Sequence, residues 1–167
     1  MLADGTRIFL RPLRPEDAPL LQDLLAHMSE EDRRLRFFAP IRELPEGLRR
    51  QLTQVDYKER IALLAFNADD GTILGVVRLA GLPQTKRAEF AVALRSDWKG
   101  RGLGWLLMQR MLDLAARLGF AEVFGYVLRD NQRMLEMCRE MGFIAAPAPG
   151  DAESLIVRRA VSGGRAP

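Results

Sequence analysis

The chain is poor in the residues that build covalent staples and metal sites. Of its 167 residues only one is cysteine, Cys138, and one histidine, His27. A lone cysteine excludes an intramolecular disulfide, and the pair falls short of the four N or S ligands that structural zinc takes, so no metal site is expected. No apolar run approaches 18 residues, so no helical membrane span is expected. The start, Met1-Leu2-Ala3-Asp4-Gly5, lacks the basic-then-apolar order of a signal peptide. Lysine is scarce, at Lys58, Lys86 and Lys99, and arginine supplies the other 22 of the 25 basic residues. Against 22 acids they leave a net charge of +3, with no Arg-dense tail and no basic block. Nucleic-acid binding would want basic charge gathered on one face with stacking aromatics, and is not expected. An excess of +3 still suits a polyanionic small ligand. Repeats, linkers and low-complexity stretches are absent as well. The expectation is one cytoplasmic domain over 1–167, with a core over about 4–161 and a frayed tail at 162–167.

Apolar residues make up 48% and charged residues 28%, the balance of a globular chain. A chain of this size buries about 70% of the surface its unfolded form exposes, so it needs no staples. Residues 6–13 alternate and read as an opening strand. Pro15-Glu16-Asp17 opens a helix in which Leu20, Leu21, Leu24, Leu25 and Met28 recur at helical spacing. Ser29-Glu30-Glu31-Asp32 starts a second helix, broken at Phe37-Phe38-Ala39-Pro40, and a third is expected from Pro45 to about Val55. The pattern then changes. Two apolar runs, 60–67 and 72–82, flank Asp69-Asp70-Gly71, a hairpin signal. Another strand is expected over 86–95, a long helix over about 103–118 ended by Gly119, a strand over 121–128, and a helix over 131–141 stopped by Gly142. Pro147, Pro149 and Gly150 read as a turn before a last strand, 153–161. This order predicts an α+β fold around one mixed sheet flanked by helices.

Between a strand and the long helix lies Trp98-Lys99-Gly100-Arg101-Gly102-Leu103-Gly104-Trp105. A helix starting there has unpaired N–H groups and about half a positive charge at its head, and glycines let the backbone close on an anion. The segment reads either as a phosphate cradle or as a tight turn with no ligand. It is not a P-loop, which needs Gly-Lys-Ser/Thr where this chain has Gly104-Trp105-Leu106. Nor is it a dinucleotide fingerprint, whose third glycine falls at Trp105.

The stretch resembles the Gln/Arg-x-x-Gly-x-Gly/Ala signature of the GNAT N-acetyltransferases, with Gly102 and Gly104 at its glycines. The resemblance continues through Ala88-Glu89-Phe90-Ala91-Val92 and residues 131–143. Arg11-Pro12-Leu13-Arg14-Pro15-Glu16-Asp17 and Arg36-Phe37-Phe38-Ala39-Pro40 resemble the acetyltransferase domain of the bacterial Pat-type protein lysine acetyltransferases. The likeness covers about 4–161. It implies acetyl-CoA held between two splayed strands, by Val92, Ala93 and Leu94, by Lys99, Gly100, Arg101, Gly102, Leu103, Gly104 and Trp105 in the turn, and by Asn131. The sequence departs from the family at two positions. Lys99 fills the signature's Gln/Arg position, keeping a cation without arginine's fork. Cys138 stands where many members carry the tyrosine that protonates the leaving thiolate.

Acyl transfer needs a free amine, and a lysine-like pKa of about 10.4 leaves it almost wholly protonated at pH 7. A base is therefore the first requirement, and Glu89 is the candidate. Alternation puts Glu89, Ala91 and Ala93 on one face of their strand, where two alanines leave room for a ligand; the alternative is a solvated strand glutamate. Asn131 reads as a helix cap, a coenzyme contact, or both. Cys138 shares a helix face with Met134 and Met141 and reads as a buried, inert thiol. His27 reads as structural, and Tyr126 as a residue that could face the acceptor. Three functions are weighed: acetylation of a protein lysine, for which the Pat-type resemblance implies a partner such as an acyl-CoA synthetase; acetylation of a small amine; and a CoA-binding sensor without turnover. Acceptor loops are expected at about 28–46 and 82–87. The acids Glu30, Glu31, Asp32 and Glu43 either meet a basic region of a protein partner or form, from Glu30 to Asp32, a solvated helix start. Pat-type relatives often carry a large synthetase-like domain ahead of this one.

Overall fold

A computed structural model describes residues 1–37, 47, 52–56 and 60–161. The alternating start becomes β1 (Ile8–Pro12). A short 3₁₀ turn, Pro15–Asp17, leads into α1 (Ala18–Ala26), whose Leu21, Leu24 and Leu25 are buried. α2 (Glu30–Phe37) follows with its acids first and its arginines last, the order the helix dipole favours. β2 (Arg60–Asn67) and β3 (Ile73–Gly81) form the expected hairpin. β4 (Arg87–Leu94) precedes the glycine turn. α3 (Leu103–Arg117) buries Leu103, Leu107, Met111 and Ala115 at steps of four. It ends where Gly119, at φ 87°, takes the left-handed conformation that closes helices. β5 (Glu122–Leu128), α4 (Gln132–Glu140), β6 (Ile144–Ala148) and β7 (Asp151–Ala160) complete the chain.

The strands form one seven-stranded sheet in the order β1-β2-β3-β4-β5-β7-β6. Among the described residues, β4 and β5 pair in parallel and the other strand pairs are antiparallel. One face packs α3 and α4, with Leu107, Met108 and Met111 against Leu74, Val77, Leu79 and Phe90. The other packs α1, with Leu21, Leu24 and Leu25 against Leu64, Val76 and Ala93. Each of the large side chains contributes about 1.5–3 kcal/mol on leaving water. β4 serves both cores, Phe90 facing one and Ala93 the other, as its alternation requires.

The C-terminal region differs from expectation. The turn expected at Pro147, Pro149 and Gly150 is confined to Pro149 and Gly150, because residues 144–148 form a strand, and β7 begins at Asp151 rather than at residue 153. β6 is an edge strand of the sheet, a position where a proline, with no N–H to donate, is tolerated. The helix expected over 45–55 lies largely outside the described residues, although Leu52 and Thr53 are helical, and the tail at 162–167 lies wholly outside them.

Candidate active site

The parallel pairing at the middle of the sheet is short. Arg87, Ala88 and Glu89 of β4 pair with Glu122, Val123 and Phe124 of β5, and there the ladder ends. The Phe90 ring fills the fork: a Cβ at Gly125 would lie 2.5 Å from Cε1 of Phe90, so β5 needs glycine at that point. A cavity of about 840 Å³ opens from the fork, walled by the outer half of β4, by Tyr126 and Val127 of β5, by the glycine turn, and by α2 and α4.

Glu89 is the last β4 residue paired with β5. Ala80 of β3 and Phe124 of β5 are its register partners, so the sheet fixes its backbone from both sides. Its carboxylate opens into the cavity. The protein crowding it removes part of its water and raises its pKa above the ordinary value, while the Arg36 guanidinium pulls the other way.

The glycine turn sits at the far end of the same cavity. Gly100 and Gly102 have φ of 79° and 92°, and Gly102 caps α3. The Leu106 N–H donates to the Gly102 carbonyl at 3.1 Å. The N–H groups of Leu103, Gly104 and Trp105 therefore head a helix that offers them no acceptor of its own. A Cβ at Gly104 would touch Leu94 Cδ1 at 3.5 Å and Met137 Sδ at 3.7 Å, narrowing the passage from turn to fork. A left-handed backbone, leading amides and a long cleft fit a phosphate-bearing ligand with an extended arm.

Most of the residues expected at the site meet in this cavity. Glu89, Val92, Ala93 and Leu94 line it from β4, Lys99, Gly100 and Gly102 from the turn, Gly104, Trp105 and Asn131 from helix starts. Two do not. The Leu103 side chain is fully buried in the core. The Arg101 guanidinium lies over the Trp98 ring at 4.1 Å and 3.7 Å from Asp4, so its charge is spent outside the cavity. Asn131 is a helix cap, its side chain accepting from the Met134 N–H at 3.3 Å at the start of α4, and it also lines the cavity. Tyr126 lines the cavity with its ring edge-on to Phe124. His27 is exposed, its Nδ1 2.9 Å from the Asp23 carbonyl. Cys138 is 1% exposed and lies outside the cavity lining, and burial pushes its thiol up to about 12.

Three residues were passed over in the sequence. Asp32, read with Glu30 and Glu31 as a solvated helix start, is buried. Its carboxylate accepts from Lys99 Nζ at 2.6 Å and from the Ser96 hydroxyl. Burial works to raise its pKa, but these bonds outweigh burial and hold it below the usual carboxylate range. Glu30 and Glu31 are exposed as expected. Lys99 thus keeps its cation at the turn but shares it with α2. Arg36 lines the cavity from α2, and burial lowers its pKa while Glu89 raises it. Arg133 lines the cavity from α4, its Nη1 3.4 Å from the place a Gly100 Cβ would take. Its position two residues after Asn131 was the available signal. Among the described residues no cluster of three His, Cys, Asp or Glu is placed to hold a metal ion, and no described helix is long and apolar enough to cross a membrane.

Comparisons with known proteins point the same way. The family model for the acetyltransferase (GNAT) domain matches residues 7–144. An acetyltransferase of Pseudomonas aeruginosa is 32% identical over 162 residues, covering 96% of this chain and 87% of its own. The acetyltransferase Pat of Mycolicibacterium smegmatis is 27% identical over 142 residues, 84% of this chain but 42% of that protein. Among solved structures, the GNAT domain of S. lividans PAT superposes with a TM-score of 0.87 at 24% identity, over 96% of this chain and 94% of that one. A spermidine N-acetyltransferase of Vibrio cholerae, solved with CoA and spermine, gives 0.74 at 17% identity, over 93% and 96%.

Proposed function

This chain belongs to the GNAT acetyltransferase family, and on that premise we propose that it moves the acetyl group of acetyl-CoA to the side-chain amine of a lysine on a folded protein, with Glu89 as the base. The observation that carries this reading is the place of Glu89, at the fork and open to the cavity that the glycine turn closes at its other end. The leading amides of Leu103, Gly104 and Trp105 would hold the coenzyme's phosphates, and Val92, Ala93, Leu94 and Asn131 its arm. Bound there, acetyl-CoA supplies an activated thioester. The chain's own task is the proton. At pH 7 an amine of pKa about 10.4 is protonated by a margin of about 4–5 kcal/mol. Glu89, raised by its surroundings, is a better match to that proton than a solvated glutamate, directly or through one water. No general acid is needed at Cys138, because a thiol of pKa about 8.5 leaves readily as thiolate.

A protein acceptor is supported by the likeness of residues 11–17 and 36–40 to Pat-type domains and by the similarity to the Mycolicibacterium Pat. Its class would be an acyl-CoA synthetase met in the cytoplasm. The test incubates the chain with acetyl-CoA and purified synthetase and maps modified lysines by peptide mass, beside a panel of small amines read by thiol release. One acetylated synthetase lysine is the expected result. Efficient acetylation of a small amine with an untouched synthetase would move the acceptor to the small-molecule class. Absence of thiol release with either acceptor would leave the sensor reading.

A further inference from the structure

The acceptor side of the cavity holds a cation that the transfer as proposed does not use. Arg36 lies one turn after Asp32 on α2, so the two share a helix face, and both line the cavity with Glu89. Asp32 fastens that helix. Its carboxylate binds Lys99 and Ser96, and the Ser29 N–H, just ahead of α2, donates to the Ser96 hydroxyl at 2.6 Å. α2 is thereby tied to the segment that leads into the glycine turn, and its last turn carries Arg36 over the cavity. The neighbouring arginines of this helix are occupied: Arg34 binds Glu31 and Asp130, and Arg33 donates to the Met28 carbonyl. Arg36 lies over the Phe37 ring, 4.7 Å from its centroid, and among the described residues makes no hydrogen bond or ion pair. Glu89 feels its charge but does not touch it. A guanidinium has five donors, and a half-buried one without an acceptor is costly unless a ligand provides one.

We propose that Arg36 is a specificity-determining residue that receives a carboxylate of the acceptor, so that the preferred lysine has an aspartate or glutamate beside it. The inference rests on the acetyl-transfer reading above. Arginine's planar fork matches a carboxylate at two points. A phosphate, with up to twice the charge, would be repelled more strongly by Glu89 in the same cavity. The Arg36 charge also disfavours an ammonium beside Glu89, so it favours the neutral amine, the form that reacts.

The experiment compares two peptides that differ only in an Asp or an Asn next to the lysine, with the parent protein, Arg36→Gln and Arg36→Lys, each checked for folding by thermal melting. The parent should favour the Asp peptide by about tenfold in kcat/KM, expressed mainly in KM. Arg36→Gln should bring that ratio to about 1, and Arg36→Lys should keep part of it. Any effect of the substitution on Glu89 acts on both peptides and cancels in the ratio. A parental ratio near 1, or a ratio that survives in Arg36→Gln, overturns the proposal. If neither peptide is acetylated, 5-aminovalerate and pentylamine take their place. A preference for the carboxylated amine that Arg36→Gln abolishes keeps the role of Arg36 and moves the acceptor to a small molecule; equal use of both overturns the role. If only the synthetase is acetylated, the same ratio is read on synthetase carrying Asp or Asn beside the modified lysine. Acetyl-CoA binding, seen by calorimetry, with no peptide, small amine or synthetase acetylated overturns the transfer reading and this inference together.

Discussion

Glu89 sets stability against use. Its folded pKa lies above its unfolded value, so the stability it contributes is full below the unfolded pKa and is lost as pH rises through the folded one. At pH 7 its charge is therefore a liability to the fold. Glu89→Gln should raise Tm slightly while lowering kcat by about 10²–10⁴-fold, a pair of effects that melting and steady-state rates read together. The acid limb of the parental kcat/KM profile should lie above pH 4.5 and vanish in that variant. Asp32 behaves in the opposite sense. Its folded pKa is depressed, so its contribution is present above the unfolded value, near 3.8, and is lost as pH falls through the folded one. Asp32→Asn should cost about 2–3 kcal/mol at pH 7, since Lys99 loses its partner in a largely buried pair. Melts repeated toward pH 3 should show the two proteins converging. Strand alternation exposed Glu89 in the sequence because the pleat is local. Asp32 was illegible because its partner is 67 residues away, and an acid at a helix start has a sufficient local explanation without it.

Among the elements, β4 and β5 decide the site, and the decision rests on one glycine. Gly125→Ala would set a methyl into the Phe90 ring and should destabilise by about 1–3 kcal/mol. Phe90→Leu on the same background should recover part of the loss, and a double-mutant cycle from denaturant melts measures that coupling. A cycle with no coupling would mean that the fork does not depend on this contact. Helical spacing and glycine stops made α1, α3 and α4 legible, because each pattern closes within a few turns. The fork was not legible from spacing, since it depends on where pairing between two distant strands ends; only the likeness to known acetyltransferases implied it. β6 was hidden for another reason: prolines and alanines hold no β-pattern, and only an edge position makes Pro147 tolerable in a strand.

Taken whole, the molecule should be stabilised by its coenzyme. Acetyl-CoA at 100 times Kd should add about 2.7 kcal/mol to unfolding, visible as a rise in Tm. No shift at millimolar coenzyme would count against the proposed site. Arg133→Ala should weaken that binding about three- to tenfold and flatten its salt dependence, as expected for one cation removed from beside a phosphate, with calorimetry at two ionic strengths as the check. A further consequence follows from the short β4–β5 ladder. Mechanically the sheet is two leaves, β1 to β4 and β5 with β7 and β6, stitched by backbone bonds at one end of a single seam. Such a seam is where a protein breathes. The amides along its open edge, in residues 90–94 and 125–128, should trade their hydrogens for deuterium faster than those of β2 and β3, which have neighbours on both sides along their length. A ligand lying in the gap would act as thread, and its arrival should slow exchange on both leaves at once.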